Sequence, residues 1–157
     1  MDKAHIADLT LDEATFVRRS PDIERERAVA IRDLLSENSF QPVGDQNGPY
    51  QLHLKMAEDR LIFDIQGQKD GNEISVALGL QSFKRIIAEY FVVCESFFTA
   101  QRSAAPHSLE ALDMGRKGLH NDGSELLKER LQGKIEIDMD TARRLFTLLC
   151  VLHIRVW

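Results

Sequence analysis

Little in this chain suits an oxidising or a membrane setting. It has two cysteines, Cys94 and Cys150, both inside strongly apolar segments. That is too few for a disulfide framework, and both are expected to be buried free thiols in a reducing compartment. No uncharged run approaches the ~20 residues that a membrane-spanning helix needs. The opening Met1-Asp2-Lys3-Ala4-His5 is charged and leads into no apolar core, so no secretory signal is expected. Excess positive charge is also missing: the formal net charge is -5. A nucleic-acid partner would need a local basic patch working against that background, and none is expected. These absences together predict a cytoplasmic protein with neither membrane nor nucleic acid as its partner.

The chain has 157 residues, 43% hydrophobic and 29% charged, which suits one soluble domain spanning 1–157 with a real core. Ile6 to Leu11 alternates loosely and is expected to be a first strand. Ser20-Pro21-Asp22 combines an oxygen-bearing cap, a proline at the first helical position and an acid, and predicts a helix running to about Asn38. Phe40 to Pro49, with two prolines and two glycines, reads as a loop. A β-meander follows. Tyr50, Leu52, Leu54 and Met56 alternate with polar residues, as do Leu61, Phe63 and Ile65, then Ile74, Val76, Leu78 and Leu80. Period two with short polar connections predicts antiparallel strands with one buried face.

From Ser82 the period becomes helical: Phe83, Ile86, Ile87, Tyr90, Phe91, Cys94, Phe97 and Phe98 form one stripe. That stripe is read as a core helix on the sheet rather than a ligand pocket, ending at Ala104-Ala105-Pro106. Ser108 is expected to cap a second helix, and Asp122 with Glu125 matches a capping box for a third carrying Leu126, Leu127 and Leu131. Gly133 ends it, Lys134 to Asp138 is a short strand, and a last helix begins near Asp138 or Asp140. In that helix Ala142, Leu145, Phe146, Leu149, Leu152 and Val156 make one face, while Val151 and Ile154 fall on the other beside Arg143 and Thr147. A helix apolar nearly all round is either enclosed or shared with a partner chain, and a homodimer through it is the simplest shared form. The expected fold is α+β, an antiparallel meander of three to five strands packed on several helices with a long apolar C-terminal helix.

The densest chemistry lies in Met114-Gly115-Arg116-Lys117-Gly118-Leu119-His120-Asn121-Asp122-Gly123, read as a junction between two helices. If Asp122 caps a helix, His120 and Asn121 stand at its N-terminus, where free N–H groups favour an anion. Arg116 and Lys117 supply charge, and His120 titrates near neutrality. A second reading stands beside this one: Gly118 ends one helix, Gly123 opens the next, and the cluster is helix punctuation. The spacing matches neither a P-loop nor a dinucleotide fingerprint. Cys150 and His153 lie one turn apart but lack two further ligands, so no metal and no cofactor is expected. Glu24-Arg25-Glu26-Arg27 reads as a solvated helix face, and Glu58 and Asp64 show no paired-carboxylate logic.

As a whole the chain resembles a small uncharacterised family of alphaproteobacterial proteins. The resemblance is carried by Gly48-Pro49-Tyr50, Arg60-Leu61-Ile62-Phe63-Asp64-Ile65, the 114–123 stretch and Thr141-Ala142-Arg143-Arg144-Leu145-Phe146-Thr147-Leu148. It implies a bacterial cytosolic protein and no activity. The C-terminal third is also similar in outline to the higher-eukaryote-and-prokaryote nucleotide-binding superfamily, many of whose members are dimeric, metal-independent ribonucleases. Their arginine, four to six residues, then histidine is not met by Arg116 and His120, which have three residues between them. Arg102 and His107 have the spacing but enclose Pro106, and the strand-rich middle is foreign to that all-helical fold. The functional expectation is a binding or regulatory protein that recognises a partner or a small anionic ligand near Arg116, Lys117, His120 and Asn121. The alternative is a ribonuclease or phosphoester hydrolase with His120 as acid/base and Arg116 stabilising phosphate charge.

Overall fold

Alternation in the middle of the chain produces a sheet with one wet and one dry face. The computed structural model of the chain describes residues 4–12, 21–103 and 106–153. Strands β3 (Tyr50–Ala57), β4 (Arg60–Gly67) and β5 (Glu73–Gly79) form the expected antiparallel meander. Tyr50, Leu52, Leu54, Leu61, Phe63 and Ile65 are buried on its inner face. Strand β1 (Ile6–Leu11) joins on the far side of β3 and runs parallel to it, so the four-stranded sheet, in order β1-β3-β4-β5, is mixed rather than wholly antiparallel. Its register shifts between Ile6 and Asp8, which turns both Ile6 and Leu9 inward and explains the loose alternation.

Helix α1 (Pro21–Ser36) follows; Ser20, its expected cap, lies outside the described residues. Asn38 lies just past the last residue of α1, Ser36, close to the expected exit. It is buried, accepts the Ile6 N–H at 2.7 Å and donates to the carbonyls of Ile6 at 3.0 Å and Leu34 at 2.8 Å, tying the rim of β1 to the end of α1. The expected loop from Phe40 instead begins with a strand, β2 (Phe40–Pro42), which pairs antiparallel with β6 (Ile135–Ile137). That ladder joins segments almost a hundred residues apart, so no local pattern announces it.

A 3₁₀ turn (Gln81–Phe83) leads into α2 (Lys84–Ser103), whose Ile87, Tyr90, Cys94, Phe97 and Ala100 are buried. The next element corrects the expectation most. Helix α3 runs without a break from Pro106 to Leu131, so Ser108 and Asp122 cap nothing, and Gly118 ends nothing. Each interior glycine costs about 1 kcal/mol relative to alanine. The Leu127 and Leu131 side chains, buried in the core, recover that cost through packing. The helix stops where expected, at Gly133, which takes φ +87°.

Helix α4 (Met139–His153) is the centre of the helical layer. Its start is as expected: Asp138 Oδ1 accepts the Thr141 N–H at 2.9 Å. It packs against α1, α3 and β3, and Leu145, Phe146, Leu148, Leu149, Cys150, Val151 and Leu152 are all buried within the chain. Of the two readings of an all-round apolar helix, enclosure describes these residues; Ile154 and Val156 lie outside the described residues.

Gly123 makes the α3–α4 contact possible. A Cβ there would lie 2.2 Å from Phe146 Cζ, whereas at Gly118 it would meet nothing within 4 Å. The two glycines therefore predict opposite outcomes. Gly123→Ala forces the Phe146 ring aside and should cost about 1–3 kcal/mol or more. Gly118→Ala, exposed in mid-helix, should gain about 0.5–1 kcal/mol. Urea midpoints of the two variants check this; a neutral Gly123→Ala would contradict the packing argument.

Candidate ligand cleft

Because α3 is continuous, the residues of the 114–123 stretch are distributed by helical angle, not gathered at a helix mouth. The expected anion position at an N-terminus does not exist. Residues 116, 120 and 124 lie one turn apart along the ridge that meets α2 and α4, and 117 and 121 lie on the adjacent ridge. The four expected site residues still reach one place. Arg116, Lys117, His120 and Asn121 line a cleft of ≈ 440 Å³ together with Glu26, Tyr90, Arg143 and Thr147.

The inner wall is aromatic and polar at once. The His120 ring lies 5.5 Å from the Tyr90 ring and 5.3 Å, edge-on, from that of Phe146. Its Nε2 is 2.7 Å from Thr147 Oγ1, and Thr147 in turn donates to the Arg143 carbonyl at 3.2 Å. Ser124 spends its hydroxyl proton on the His120 carbonyl at 2.6 Å. Both ring nitrogens therefore face hydroxyls, Nε2 that of Thr147 and, at 3.5 Å, Nδ1 that of Ser124. Burial, with the Arg116 and Arg143 charges nearby, lowers the His120 pKa to about 4. His120 is therefore a neutral imidazole at neutral pH. Burial also pushes the Tyr90 hydroxyl well above its usual range and the Cys94 thiol up to about 11, so neither is an ionised nucleophile. Cys150 is buried and raised likewise.

The cations are largely spoken for. Arg116 Nη2 binds Asp113 at 2.7 Å, Nη1 lies 3.5 Å from Glu26, and the guanidinium sits 4.4 Å over the Phe97 ring. Lys117 reaches Asp113 at 2.9 Å, and these two bonds hold the Asp113 carboxyl below the usual carboxylate range. Arg143 donates through Nε to Asn121 Oδ1 at 3.1 Å and through Nη1 to Asp140 at 2.7 Å. Arg143 Nη2 and the Asn121 amide N–H groups have no hydrogen-bond partner among the described residues, and Lys117 has protons to spare beyond its bond to Asp113.

Four lining residues had no site assigned to them from sequence. Glu26 belongs to a run read as solvated, yet it is half-buried and turned toward Arg116. Tyr90 was legible only as core. Arg143 and Thr147 had a signal, since they are the polar breaks one turn apart in an apolar helix. No group of three or more His, Cys, Asp or Glu able to hold a metal occurs among the described residues, and the His153 side chain lies outside them. A second concavity of ≈ 500 Å³ lies on the open sheet face, where Thr10, His53, Asp64 and Ser75 form a row across four strands. Its groups are paired with one another: Thr10 Oγ1 with His53 Nδ1 at 2.6 Å, and Asp64 with Ser75 and Lys55.

The His120 shift carries a pH dependence. The folded pKa lies below the usual 6.5, so the unfolded chain binds the proton more readily. The contribution is complete above 6.5 and is lost as pH falls toward 4, at up to ~1.4 kcal/mol per pH unit. Chemical denaturation of wild type against His120→Gln between pH 7 and pH 4 reads this. Wild type should lose stability more steeply, and parallel curves would contradict the assignment.

Comparison with known proteins gives the family. The model of the uncharacterised protein family UPF0262 matches residues 3–155. The UPF0262 protein Rru_A2770 of Rhodospirillum rubrum is 56% identical over 154 residues, covering 98% of this chain and 95% of the relative. That of Paramagnetospirillum magneticum, amb3341, is 54% identical over 150 residues, covering 96% of each. A Brucella abortus relative is 55% identical over 153 residues, covering 97% of this chain and 95% of its own. No solved structure matches the chain significantly. The chain is thus a member of UPF0262, the bacterial family that its sequence resembles.

Proposed function

We propose that this protein binds a small anionic ligand, of phosphate or carboxylate type, at the rim of the α3–α4 cleft. The observation that carries the reading is the convergence of spare donors from two helices: Lys117 and Asn121, one turn apart on α3, and Arg143 on α4. Asn121 gives its oxygen to Arg143, which leaves its amide as a donor directed by that bond. Lys117 and Arg143 are well exposed, so neither alone would hold an anion against water. Several charge-assisted donors meeting on one ligand are another matter. Glu26 is the single carboxylate among the lining residues, and the other carboxylates paired with the three lining cations, Asp113 and Asp140, stand outside the lining.

The hydrolase reading has one favouring observation, since Arg116 and His120 do share the cleft one turn apart. Its chemistry is poorly served. A base must hold the proton it takes, and burial beside Arg116 and Arg143 lowers the His120 pKa to about 4, which makes it a weak base. An acid must be protonated at working pH, and a pKa near 4 leaves His120 neutral. A homodimer through α4 forms no part of this reading, because every described apolar side chain at Leu145 to Leu152 is buried in its own chain. We further propose a cytoplasmic address. It is consistent with free buried Cys94 and Cys150 and with no described helix long and apolar enough to cross a membrane.

Calorimetric titration with phosphate, pyrophosphate and citrate at low ionic strength tests the site. At least one should bind, and Arg143→Gln should weaken it about tenfold, the equivalent of ~1.4 kcal/mol for one charge-assisted bond. Turnover of RNA or a phosphoester by wild type, abolished in a stably folded His120→Gln, would replace the binding reading with the hydrolase.

A further inference from the structure

Glu26 stands where three depressions meet. It lines the α3–α4 cleft with Arg116 and Lys117, the groove along α1 and α4 with Asp33 and Arg144, and the apolar crevice with Cys94, Cys150 and Val151. From this place its one ion pair among the described residues is a stretched one, 3.5 Å to Arg116 Nη1. The Arg116 guanidinium is otherwise firmly set: Phe97 lies beneath it and Asp113 holds Nη2 at 2.7 Å. Its Nε is buried without a hydrogen-bond partner. A fixed, poorly satisfied guanidinium in a partly dry cleft favours an anion better placed than Glu26.

The helix bearing Glu26 is suited to yield. In the half of α1 from Pro21 to Val29 no described side chain is buried; burial begins at Ala30 and Leu34. Among the described residues, ion pairs reach from this half to the rest of the helical layer at Asp22, with Arg102 of α2, and at Glu26, with Arg116 of α3. Both are partly exposed, and such pairs exchange readily for solvent or for another ion.

We propose that Glu26 is an internal occupant of the inner anion position on Arg116. A ligand gripped at the rim by Lys117, Asn121 and Arg143 extends a second anionic group inward and displaces it. The inference rests on the anion-site reading and deepens it. The ligand class narrows to dianions with two separated charged groups, such as a pyrophosphate or a dicarboxylate. Displacing Glu26 removes the one carboxylate among the lining residues, leaving Asp113 and Asp140 as the partners of the three cations, and it frees the first half of α1 from α3.

Pyrophosphate titrated calorimetrically into wild type, Glu26→Gln and Glu26→Asp decides the matter. Glu26→Gln should bind severalfold more tightly. Glu26→Asp keeps the charge but is too short to hold Arg116, and should show a smaller gain of the same sign. An Asp variant indistinguishable from wild type would mean that the charge acts only through its field, and would overturn displacement. So would wild-type binding that is sensitive to Arg143→Gln yet unaltered in either Glu26 variant, an outcome that leaves the rim site standing. If no form of the protein binds pyrophosphate, phosphate or citrate, both the site and its gate fall. A ligand-free readout accompanies this: amide exchange over residues 21–29 should quicken in Glu26→Gln, while residues 30–36 stay protected.

Discussion

The contact between the Phe146 ring and the bare backbone of Gly123 sets the geometry on which the helical layer depends. With no Cβ at that point, α3 approaches α4 closely enough for the ring to lie on its main chain. One turn earlier on α3, His120 is brought edge-on to the same ring and within 2.7 Å of Thr147, the next residue along α4. Tyr90 of α2 closes the group by packing on both rings. A cleft exists beside this cluster because large rings fill the inner layer, while the residues one ridge outward, Lys117, Asn121 and Arg143, are long and polar.

Electrostatics follow from that packing. Arg116 points inward over Phe97, and its charge is tolerated there because Asp113 supplies a close bond that offsets the cost of burial. The same burial, with Arg116 and Arg143 adding repulsion, keeps His120 neutral. Cation and histidine thus play opposite parts although they sit one turn apart. One stays charged because it has a carboxylate of its own; the other is neutral because it has only hydroxyls and rings.

What was legible in the sequence divides by the range of the physics involved. Period-two alternation is local, and β3, β4 and β5 stand where it put them. Strong end signals were also right at Asp138 and at Gly133, whose positive φ the chain needs. The β2–β6 ladder and the Asn38 clamp join distant segments, and nothing nearby in sequence marks them. The 114–123 stretch failed for another reason. Glycine, aspartate and glutamate there have the spacing of a helix boundary, and local propensity favours a break. Tertiary packing overrules it, since Gly123 lies against Phe146 of α4 and His120, one turn earlier, packs on the same ring. Gly123 has its place through the shape of Phe146, a residue more than twenty positions away.

That error also altered the sense of the cluster. In a loop, adjacent Arg116 and Lys117 would close together on one anion. On a continuous helix they diverge by about 100° and belong to different ridges. Arg116 becomes an interior cation held between Phe97, Asp113 and Glu26, and Lys117 becomes a surface cation. The functional partners then follow helical spacing rather than adjacency: Arg116 with His120 within, Lys117 with Asn121 at the rim, and Arg143 across the gap from both. A cleft with an inner and an outer cationic position, the inner already met by a loosely bonded carboxylate from α1, discriminates by the spacing of charges on its ligand. A single helix N-terminus, the arrangement first suggested by the residue order, would have recognised one charge alone.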